Sequence, residues 1–258
     1  MKDIEKLEAL LRSLYLPTFA EHCKGYADKA QKQKLGHLAY LYELAQAERS
    51  ERQLRKTERL ISQAKLPRGK SLEAFDLSKQ PTLSPSRLEE LAEGEFLDLC
   101  ENLLIFGLPG AGKTHLAAGL AREWCLRGRR VLYTTAALLV QELLVAKRDL
   151  QLNQMIKKLD RCDALVIDDI SYVPYNRDET DVLFVLLAAR YEARSVVVTS
   201  NLVFSEWGNI FKDPMTTRAA IDRLVHHATI LELNESFRQE AAKSRKKAQE
   251  ETERSTDS

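Results

Sequence analysis

The feature that most constrains this chain is a glycine-rich segment at Gly107–Thr114. It reads Gly-Leu-Pro-Gly-Ala-Gly-Lys-Thr and fits the pattern G-x-x-x-x-G-K-S/T at every fixed position. Its glycines allow the backbone to curl so that successive N–H groups point at phosphate oxygens. An apolar strand is predicted before it at Asn102–Phe106, and a helix after it from Lys113 to about Arg127. The segment therefore predicts a phosphate-binding loop, with the positive end of the helix directed at the phosphates.

Two side chains of this segment are expected to act on a bound nucleotide. Lys113 would reach the β- and γ-phosphates, and the Thr114 hydroxyl would ligate Mg²⁺. ATP and Mg²⁺ are therefore the predicted cofactors. The predicted nucleotide contacts are Gly107, Pro109, Gly110, Ala111, Gly112, Lys113, Thr114 and His115.

An acidic pair follows a second apolar run, Leu165–Ile167. A buried strand would place Asp168 at its carboxyl-terminal tip, where the carboxylate can hold Mg²⁺ through water. The next residue, Asp169, stands where a general base would polarise the attacking water. The pair predicts hydrolysis of the nucleotide, and capping of the strand end by the two carboxylates is the alternative.

Polar and basic residues near later strands are candidates for the rest of the site. Asn201 ends the run Thr199-Ser200-Asn201 and could hydrogen-bond the γ-phosphate or the attacking water, or be an ordinary turn residue. Arg218 and Arg223 precede the last strand, where a cation could reach a neighbouring subunit's γ-phosphate and stabilise transition-state charge. For both arginines, a local ion pair with Asp222 or a solvated helix face is the alternative.

Strands and helices alternate after Asn102. Apolar or β-branched runs at Val131–Thr135, Ala164–Ile167, Ser195–Thr199 and Thr229–Leu233 are separated by helical stretches. This alternation predicts the α/β class, with a parallel sheet covered by helices on both faces.

The chain divides into four predicted parts. Residues 1–66 read as a small all-α domain, because apolar residues such as Ile4, Leu7 and Leu11 recur at helical spacing. Residues 67–85 contain several prolines and little periodicity, so they are interpreted as a linker. Residues 86–238 form the predicted ATPase domain. Residues 239–258 are rich in Ser, Lys, Arg and Glu and are expected to be disordered.

A basic stripe lies on the third predicted helix, which runs from about Lys34 to Ala64. Its cations recur every three or four residues and therefore share a face, which suggests a salt-sensitive contact with DNA phosphates. Glu48 and Glu51 precede Arg52 and Arg55 by four residues, so a solvated face of intrahelical ion pairs explains the pattern equally well. The candidate DNA contacts are Arg49, Arg52, Lys56, Arg59 and Arg68.

Several other classes of protein and site are not expected. No apolar run reaches the roughly 18–20 residues that span a bilayer, and the charged N-terminus does not resemble a signal peptide, so a cytoplasmic protein is predicted. The four cysteines form no C-x-x-C pair and are expected to be reduced thiols. His226 and His227 are adjacent, and adjacent side chains on a helix diverge, so no metal site is expected there.

Several segments together resemble the IstB-like ATP-binding proteins. These are transposition helper ATPases of bacterial insertion sequences and are related to the DnaC-type helicase loaders. The resemblance covers about residues 4–238 and includes N-terminal features at Leu14–Pro17 and Glu48–Arg59. The motifs that carry it are Phe75-Asp76, Gly107–Thr114, Ile167–Pro174, Thr199–Asn201 and Asp222–His227.

The resemblance implies an AAA+ P-loop core with a five-stranded parallel sheet in the order 5-1-4-3-2. It implies a homo-oligomer with ATP sites at subunit interfaces, self-assembly on duplex DNA, and recruitment of the DDE transposase of the same element. In this family pattern Asp-Arg-Leu places Arg223 as the arginine finger, and Arg238 could sense nucleotide in its own subunit. The second acid is Glu in most AAA+ proteins, so Asp169 leaves the hydrolysis rate open. A replicative helicase loader is the alternative function, and a small-molecule kinase is a third.

Overall fold

A computed structural model describes residues 2–171, 176–209 and 214–233. The chain forms two compact units, Met1–Arg59 and Leu60–Ser258, which are described separately. The predictions for Arg238 and for the tail at 239–258, and the end of the Ile167–Pro174 motif, lie outside the described residues. In the described part, no helix is both long and apolar enough to cross a bilayer.

The first unit is helical, as predicted. It contains α1 (Lys2–Ser13), α2 (Pro17–Gln33) and most of α3 (His37–Gln63). Pro17 occupies the first turn of α2, where a missing N–H costs no intrahelical hydrogen bond, so it starts a new helix.

A buried carboxylate joins two of these helices. Glu48 of α3 is 4% exposed, and its Oε2 accepts hydrogen bonds from the N–H groups of Thr18 (2.9 Å) and Phe19 (3.3 Å) at the start of α2. Burial alone would raise the pKa of Glu48, but these bonds and one from Arg52 outweigh it and hold that pKa below its usual value. Glu48 therefore neutralises the positive end of α2 and supplies acceptors for its unpaired N–H groups.

A five-stranded parallel sheet forms the centre of the second unit. Its strand order is β2-β3-β4-β1-β5, which confirms the predicted order 5-1-4-3-2 counted from the other edge. The strands are β1 (Asn102–Gly107), β2 (Val131–Thr135), β3 (Ala164–Asp168), β4 (Ser195–Ser200) and β5 (Ala228–Leu233). The helices are α4 (Pro85–Glu93), α5 (Lys113–Leu126), α6 (Ala136–Arg148), α7 (Leu152–Leu159), α8 (Arg177–Arg190) and α9 (Pro214–Val225).

Both faces of the sheet are buried, as the apolar strands predict. Alternate residues of a strand point to opposite faces, so Leu103 and Leu104 enter different clusters. One cluster packs the sheet against α5 through Leu116, and the other packs it against α6 and α8 through Leu139 and Leu183. These side chains are at most 1% exposed. Packing on both faces therefore fixes the positions of the residues at the carboxyl-terminal ends of the strands.

The segment at 67–85 packs on this core, and its role as a linker stays a prediction. Phe75 and Leu83 are buried, and Gln80 is fully buried. The Gln80 Nε2 donates a hydrogen bond to the carbonyl of Ala111, 3.0 Å away. The segment therefore holds the glycine-rich loop in place through the hydrogen bond from Gln80 to Ala111.

Replacement of Gly94 by alanine tests the packing at the end of α4. Gly94 has φ +73°, and a Cβ there would lie 2.7 Å from Cδ1 of the fully buried Trp124. Because a left-handed backbone and an overpacked core both penalise the added methyl, we expect Gly94→Ala to lower the free energy of unfolding by about 2–4 kcal/mol. Urea denaturation followed by circular dichroism measures this.

Gly25→Ala is the matched control. Gly25 lies inside α2, and a Cβ there meets nothing within 4 Å. Alanine in that position is expected to stabilise the helix by about 0.5–1 kcal/mol. Equal effects of the two substitutions would contradict the described packing.

Candidate nucleotide-binding site

The predicted residues of the glycine-rich loop, the acidic pair and Asn201 meet at the carboxyl edge of the sheet, where ligands of parallel α/β sheets bind. The glycine-rich loop follows β1, Asp168 ends β3, and Asn201 follows β4, and these three strands are neighbours. They border a pocket of about 490 Å³. Its lining is Lys70, Ala74, Phe75, Asp76, Lys79, Pro109, Gly110, Gly112, Lys113, Thr114, His115, Asp169, Thr199 and Asn201.

The loop has the backbone that its glycines predict. Gly107 has φ +153°, and a Cβ there would lie 2.3 Å from the carbonyl oxygen of Leu233 in β5, so the close approach of β1 and β5 requires glycine. Gly112 has φ +90° and immediately precedes α5. The N-terminus of α5 therefore opens at the loop, where its unpaired N–H groups can receive an anion.

Lys113 is buried and its ammonium lies inside the loop. The Nζ donates hydrogen bonds to the carbonyls of Gly107 (2.8 Å) and Leu108 (3.0 Å), and to Oδ1 of Asn201 (2.6 Å). The ammonium is thus held between the loop after β1 and the residue after β4.

Three hydroxyl groups surround the Asp168 carboxylate, which is 6% exposed. Thr114 Oγ1 lies 3.1 and 3.0 Å from its two oxygens, Tyr133 Oη donates to Oδ2 at 2.6 Å, and Thr199 Oγ1 donates to Oδ1 at 2.6 Å. Burial, followed by the hydrogen bond to Asp168 and then the Asp168 charge, raises the pKa of Tyr133 far above its usual value, so the phenol remains a donor. Two of the three hydroxyls belong to the strands on either side of Asp168.

Asp169 is held in a left-handed backbone conformation, with φ +59°. Its N–H donates to Thr199 Oγ1 (2.8 Å), and its Oδ1 accepts from Nδ2 of Asn201 (3.1 Å). Burial, followed by repulsion from Asp168, raises the pKa of Asp169, and attraction to Lys113 offsets only part of this. Asn201 therefore bridges Lys113 and Asp169 through the two ends of one amide.

His115 lies in the first turn of α5. Its Nε2 is 2.8 Å from the carbonyl of Ser71, and its ring packs edge-on against Phe75 with centroids 5.5 Å apart. These contacts attach the segment before α4 to the helix that follows the loop. The predicted nucleotide contact of His115 remains a prediction.

Arg223 lies far from this pocket. Its carbonyl is 3.5 Å from Nδ2 of Asn102, the first residue of β1, whereas the loop follows the last residue of that strand. Six residues of strand separate the two positions by about 17 Å, which exceeds the reach of an arginine side chain. The Arg223 guanidinium rests over the Phe184 ring, 4.8 Å from its centroid. Arg218 lies in α9, but its side chain is outside the described part of the structure.

The basic residues of α3 differ in their surroundings. Arg52 donates to the buried Glu48 (2.6 Å) and to the carbonyl of Tyr15, and Arg55 lies 3.7 Å from Glu51. The Arg52–Glu48 and Arg55–Glu51 contacts are the intrahelical ion pairs that the sequence offered as the alternative to DNA contact. The exposed Arg49 and Lys56, together with Leu16 and Phe19, line a cavity of about 540 Å³ in the first unit. Arg59 is exposed at the end of this unit, and Arg68 is exposed in the second unit.

Sequence reasoning missed two residues of the acidic centre. The sequence alone indicates Tyr133 only as part of a strand, and Thr199 only as part of a strand-end motif. The signal for both is a polar residue in an otherwise apolar strand, but it becomes informative only when the strand order puts β2 and β4 beside β3.

Tyr133→Phe is expected to weaken the dependence of nucleotide affinity on Mg²⁺. The substitution keeps the buried ring and removes a hydrogen bond that orients Asp168, and loss of such supporting bonds costs about 10–100-fold in metal affinity. Titration of a fluorescent ATP analogue at several Mg²⁺ concentrations measures the effect. Tyr40→Phe, which removes a hydroxyl bonded to the Cys23 carbonyl in the first unit, is the control. An unchanged Mg²⁺ dependence in Tyr133→Phe would contradict the assigned role.

Asp169→Asn is expected to stabilise the protein at neutral pH. Because the pKa of Asp169 is raised in the folded state, ionisation favours unfolding, and stability falls as pH rises from the ordinary carboxyl pKa through the raised one. Asparagine tolerates the left-handed backbone and removes the charge. The free energy of unfolding of the variant should exceed that of wild type at pH 7, and the difference should shrink as pH falls toward about 4.

Asp178→Asn is a control of opposite sign. A hydrogen bond from Lys147 lowers the pKa of the exposed Asp178, so its ionised form favours the fold at pH 7. Urea unfolding of both variants across this pH range makes the comparison. A loss of stability at pH 7 in Asp169→Asn would refute the electrostatic description.

Comparison with known proteins agrees with this geometry. Residues 9–248 match the family described as IstB-like ATP binding protein. An insertion-sequence ATP-binding protein of Sinorhizobium fredii is 43% identical over 93% of this chain and 81% of its own length. The insertion sequence IS21 ATP-binding protein of Pseudomonas aeruginosa is 36% identical over 91% of this chain and 89% of its own.

Solved structures share the fold at low identity. AMPPCP-bound DnaA from Aquifex aeolicus has a TM-score of 0.54 and 22% identity, over 66% of this chain and 51% of that one. The chain thus spans about half of that DnaA. The DnaC helicase loader also has a TM-score of 0.54, with 14% identity over 64% of this chain and 97% of that one.

The family match covers nearly the whole chain, and the AAA+ sheet carries the glycine-rich loop and the acidic pair at the same edge. The chain therefore belongs to the IstB-like ATP binding protein family, and it is an ATP-binding protein of the AAA+ P-loop class.

Proposed function

We propose that this protein is an ATP-dependent, DNA-binding helper of transposition. It assembles as a homo-oligomer on duplex DNA, recruits and activates a DDE transposase of the same element, and uses ATP hydrolysis as the switch. The observation that carries the proposal is the Asn201 amide, which joins the phosphate-binding Lys113 to the candidate base Asp169. The insertion-sequence names of the relatives supply the biological context.

ATP and Mg²⁺ enter the pocket at the carboxyl edge. Lys113 exchanges its two loop carbonyls for β- and γ-phosphate oxygens, which are stronger partners because they carry charge. Thr114 and Asp168, whose oxygens lie about 3 Å apart, would hold Mg²⁺, Asp168 through water, and the ion would offset the charge of the phosphates. Mg²⁺ is a hard cation that prefers such hydroxyl and carboxylate oxygens.

Hydrolysis uses Asp169 as the base and Asn201 as the sensor of the γ-phosphate. When Lys113 moves to phosphate, Oδ1 of Asn201 loses its donor and can accept a hydrogen bond from the attacking water, while Nδ2 donates to the γ-phosphate in place of Asp169. Asp169 is then released to polarise that water. The raised pKa of Asp169 brings it nearer to the value at which a carboxylate is an effective base.

The site is completed by a second subunit. Arg223 stands at the opposite edge of its own sheet, about 17 Å from its own loop, so it serves the γ-phosphate of a neighbour. Its resting contact with Phe184 is a cation–π interaction that such an exchange would break. Arg218 and Arg238 remain candidates for supporting contacts to nucleotide.

DNA phosphates contact the exposed basic residues that have no intramolecular ion pair among the described residues. Arg49 and Lys56 line one cavity of the first unit, Arg59 is exposed at the end of that unit, and Arg68 is a separate exposed candidate in the second unit. Arg52 is bound to Glu48 and Tyr15, so a phosphate would have to displace those partners. Such backbone contacts give salt-dependent and sequence-independent binding.

A replicative helicase loader is the second candidate, because the fold also resembles the DnaC helicase loader. The two functions predict different substrates. A transposition helper should prefer duplex DNA and bind its transposase, whereas a loader should bind a replicative helicase and prefer single strands.

ATP should raise the affinity for duplex DNA, and Lys113→Ala should abolish this effect. Gel shift with a duplex and a single strand of equal length, with and without ATP, measures it, and co-purification with the transposase of the same element tests recruitment. Duplex affinity that is indifferent to ATP in the wild type would refute the proposal, and an ATP-dependent preference for single strands would favour the loader.

Removal of the cavity cations should reduce the salt dependence of DNA binding. Two lost phosphate contacts in Arg49→Ala/Lys56→Ala should lower the slope of log K against log[salt] by about 1.8. The control is Lys157→Ala/Lys158→Ala, which removes two exposed cations from α7. Equal slopes in wild type and the Arg49/Lys56 variant would exclude this cavity as the DNA contact.

A further inference from the structure

A second group of ligand-type side chains lies outside the nucleotide pocket. Glu192, His226 and His227 each present one oxygen or nitrogen atom, and these atoms lie within 4.8 Å of one another. We propose that this Glu192–His226–His227 cluster is a binding site for a divalent transition-metal ion of the Zn²⁺ type.

The helix that was expected to separate the two histidines ends before them. Helix α9 stops at Val225, and His226 and His227 form the turn that leads into β5. Their rings therefore converge, with centroids 4.1 Å apart, where helical side chains would diverge. Glu192 comes from the turn after α8, and the three ligands thus join two separate connections of the fold.

The ligand set and its spacing suit a tetrahedral ion. Zn²⁺ binds imidazole nitrogen and carboxylate oxygen at about 2.0–2.2 Å, which places tetrahedral ligand atoms about 3.4 Å apart. His227 Nε2 and Glu192 Oε1 are already 3.7 Å apart. All three side chains are exposed, so rotation about their side-chain bonds can close the remaining distance and water can supply the fourth ligand. Imidazole ligands favour Zn²⁺ and its neighbours over Mg²⁺.

Tyr191 supports one of the histidines. Its hydroxyl lies 2.7 Å from Nδ1 of His226. When Nδ1–H of His226 donates to this hydroxyl, the hydrogen bond fixes the ring orientation and leaves the lone pair of Nε2 for the ion, which is the usual arrangement around metal-binding histidines.

A metal ion bound to the cluster would constrain the end of α9. An ion held by Glu192, His226 and His227 links the turn after α8 to the turn after α9, and it restricts the segment that carries Arg223. The cluster does not share a residue with the nucleotide pocket. Metal binding can therefore succeed or fail independently of ATP binding.

Titration of the full-length protein with Co²⁺ and Zn²⁺ tests the site. Tetrahedral Co²⁺ bound by nitrogen and oxygen absorbs in the visible range without the thiolate charge-transfer band that a cysteine site gives, and a chromophoric chelator competing for Zn²⁺ reports affinity. We expect one ion per chain. Each of His226→Ala, His227→Ala and Glu192→Gln should weaken binding by at least about tenfold, and Tyr191→Phe by about tenfold.

His22→Ala/His37→Ala is the matched control, because both histidines are exposed and lie in the first unit. This variant should bind the metal like the wild type. Circular dichroism and ATP-analogue binding should be unchanged in all cluster variants, which separates loss of a ligand from loss of the fold. Equal metal affinity in the wild type and His226→Ala/His227→Ala, or no binding above that of the chelator, would overturn the proposal.

Discussion

The hydrogen bonds that gather around the Asp168 carboxylate are the interaction on which the rest of the site depends. Thr114 belongs to the helix after the loop, Tyr133 to β2 and Thr199 to β4. The three hydrogen bonds to Asp168 form only when these elements have their observed positions relative to β3. A buried charge is tolerated only when its hydrogen-bonding capacity is filled. A slip of β2 or β4 against β3 would remove one of these hydrogen bonds, and for this reason the arrangement proposed to bind Mg²⁺ also specifies how these strands are aligned.

The backbone conformation at position 169 explains why aspartate can stand there. Its left-handed conformation turns the chain sharply after β3, and aspartate tolerates this conformation better than most residues. Its short side chain meets the Asn201 amide at 3.1 Å, and the same amide holds Lys113 at 2.6 Å. The shorter side chain, one methylene less than glutamate, therefore still reaches Asn201, the proposed sensor residue. Under the proposed function, Asp169 would become available as a base only after Lys113 has moved to phosphate, so hydrolysis would be a controlled step.

Sequence patterns predicted the parts of the structure that depend on local chemistry. The loop, the acidic strand end and the buried strands each have a composition that permits few alternatives, and they were found within a residue or two. Tyr133 was not predicted as a site residue, because its role arises only when β2 lies beside β3. The role of Arg52 stayed open because the same spacing suits an ion pair and a DNA contact, and only the buried Glu48 shows which partner it has in the folded unit. The convergence of His226 and His227 was missed because the end of α9 was not visible in the pattern.

The central claim is that the ATP site is completed by Arg223 of a neighbouring subunit. Its most direct test is ATP hydrolysis by a mixture of two inactive variants, Lys113→Ala, which keeps Arg223, and Arg223→Ala, which keeps the loop. The account predicts negligible hydrolysis by each variant alone. In an equimolar mixture, random head-to-tail assembly makes roughly a quarter of the interfaces competent, and activity should recover to about that share of wild type. Full activity of Arg223→Ala alone, or no recovery on mixing, would contradict it.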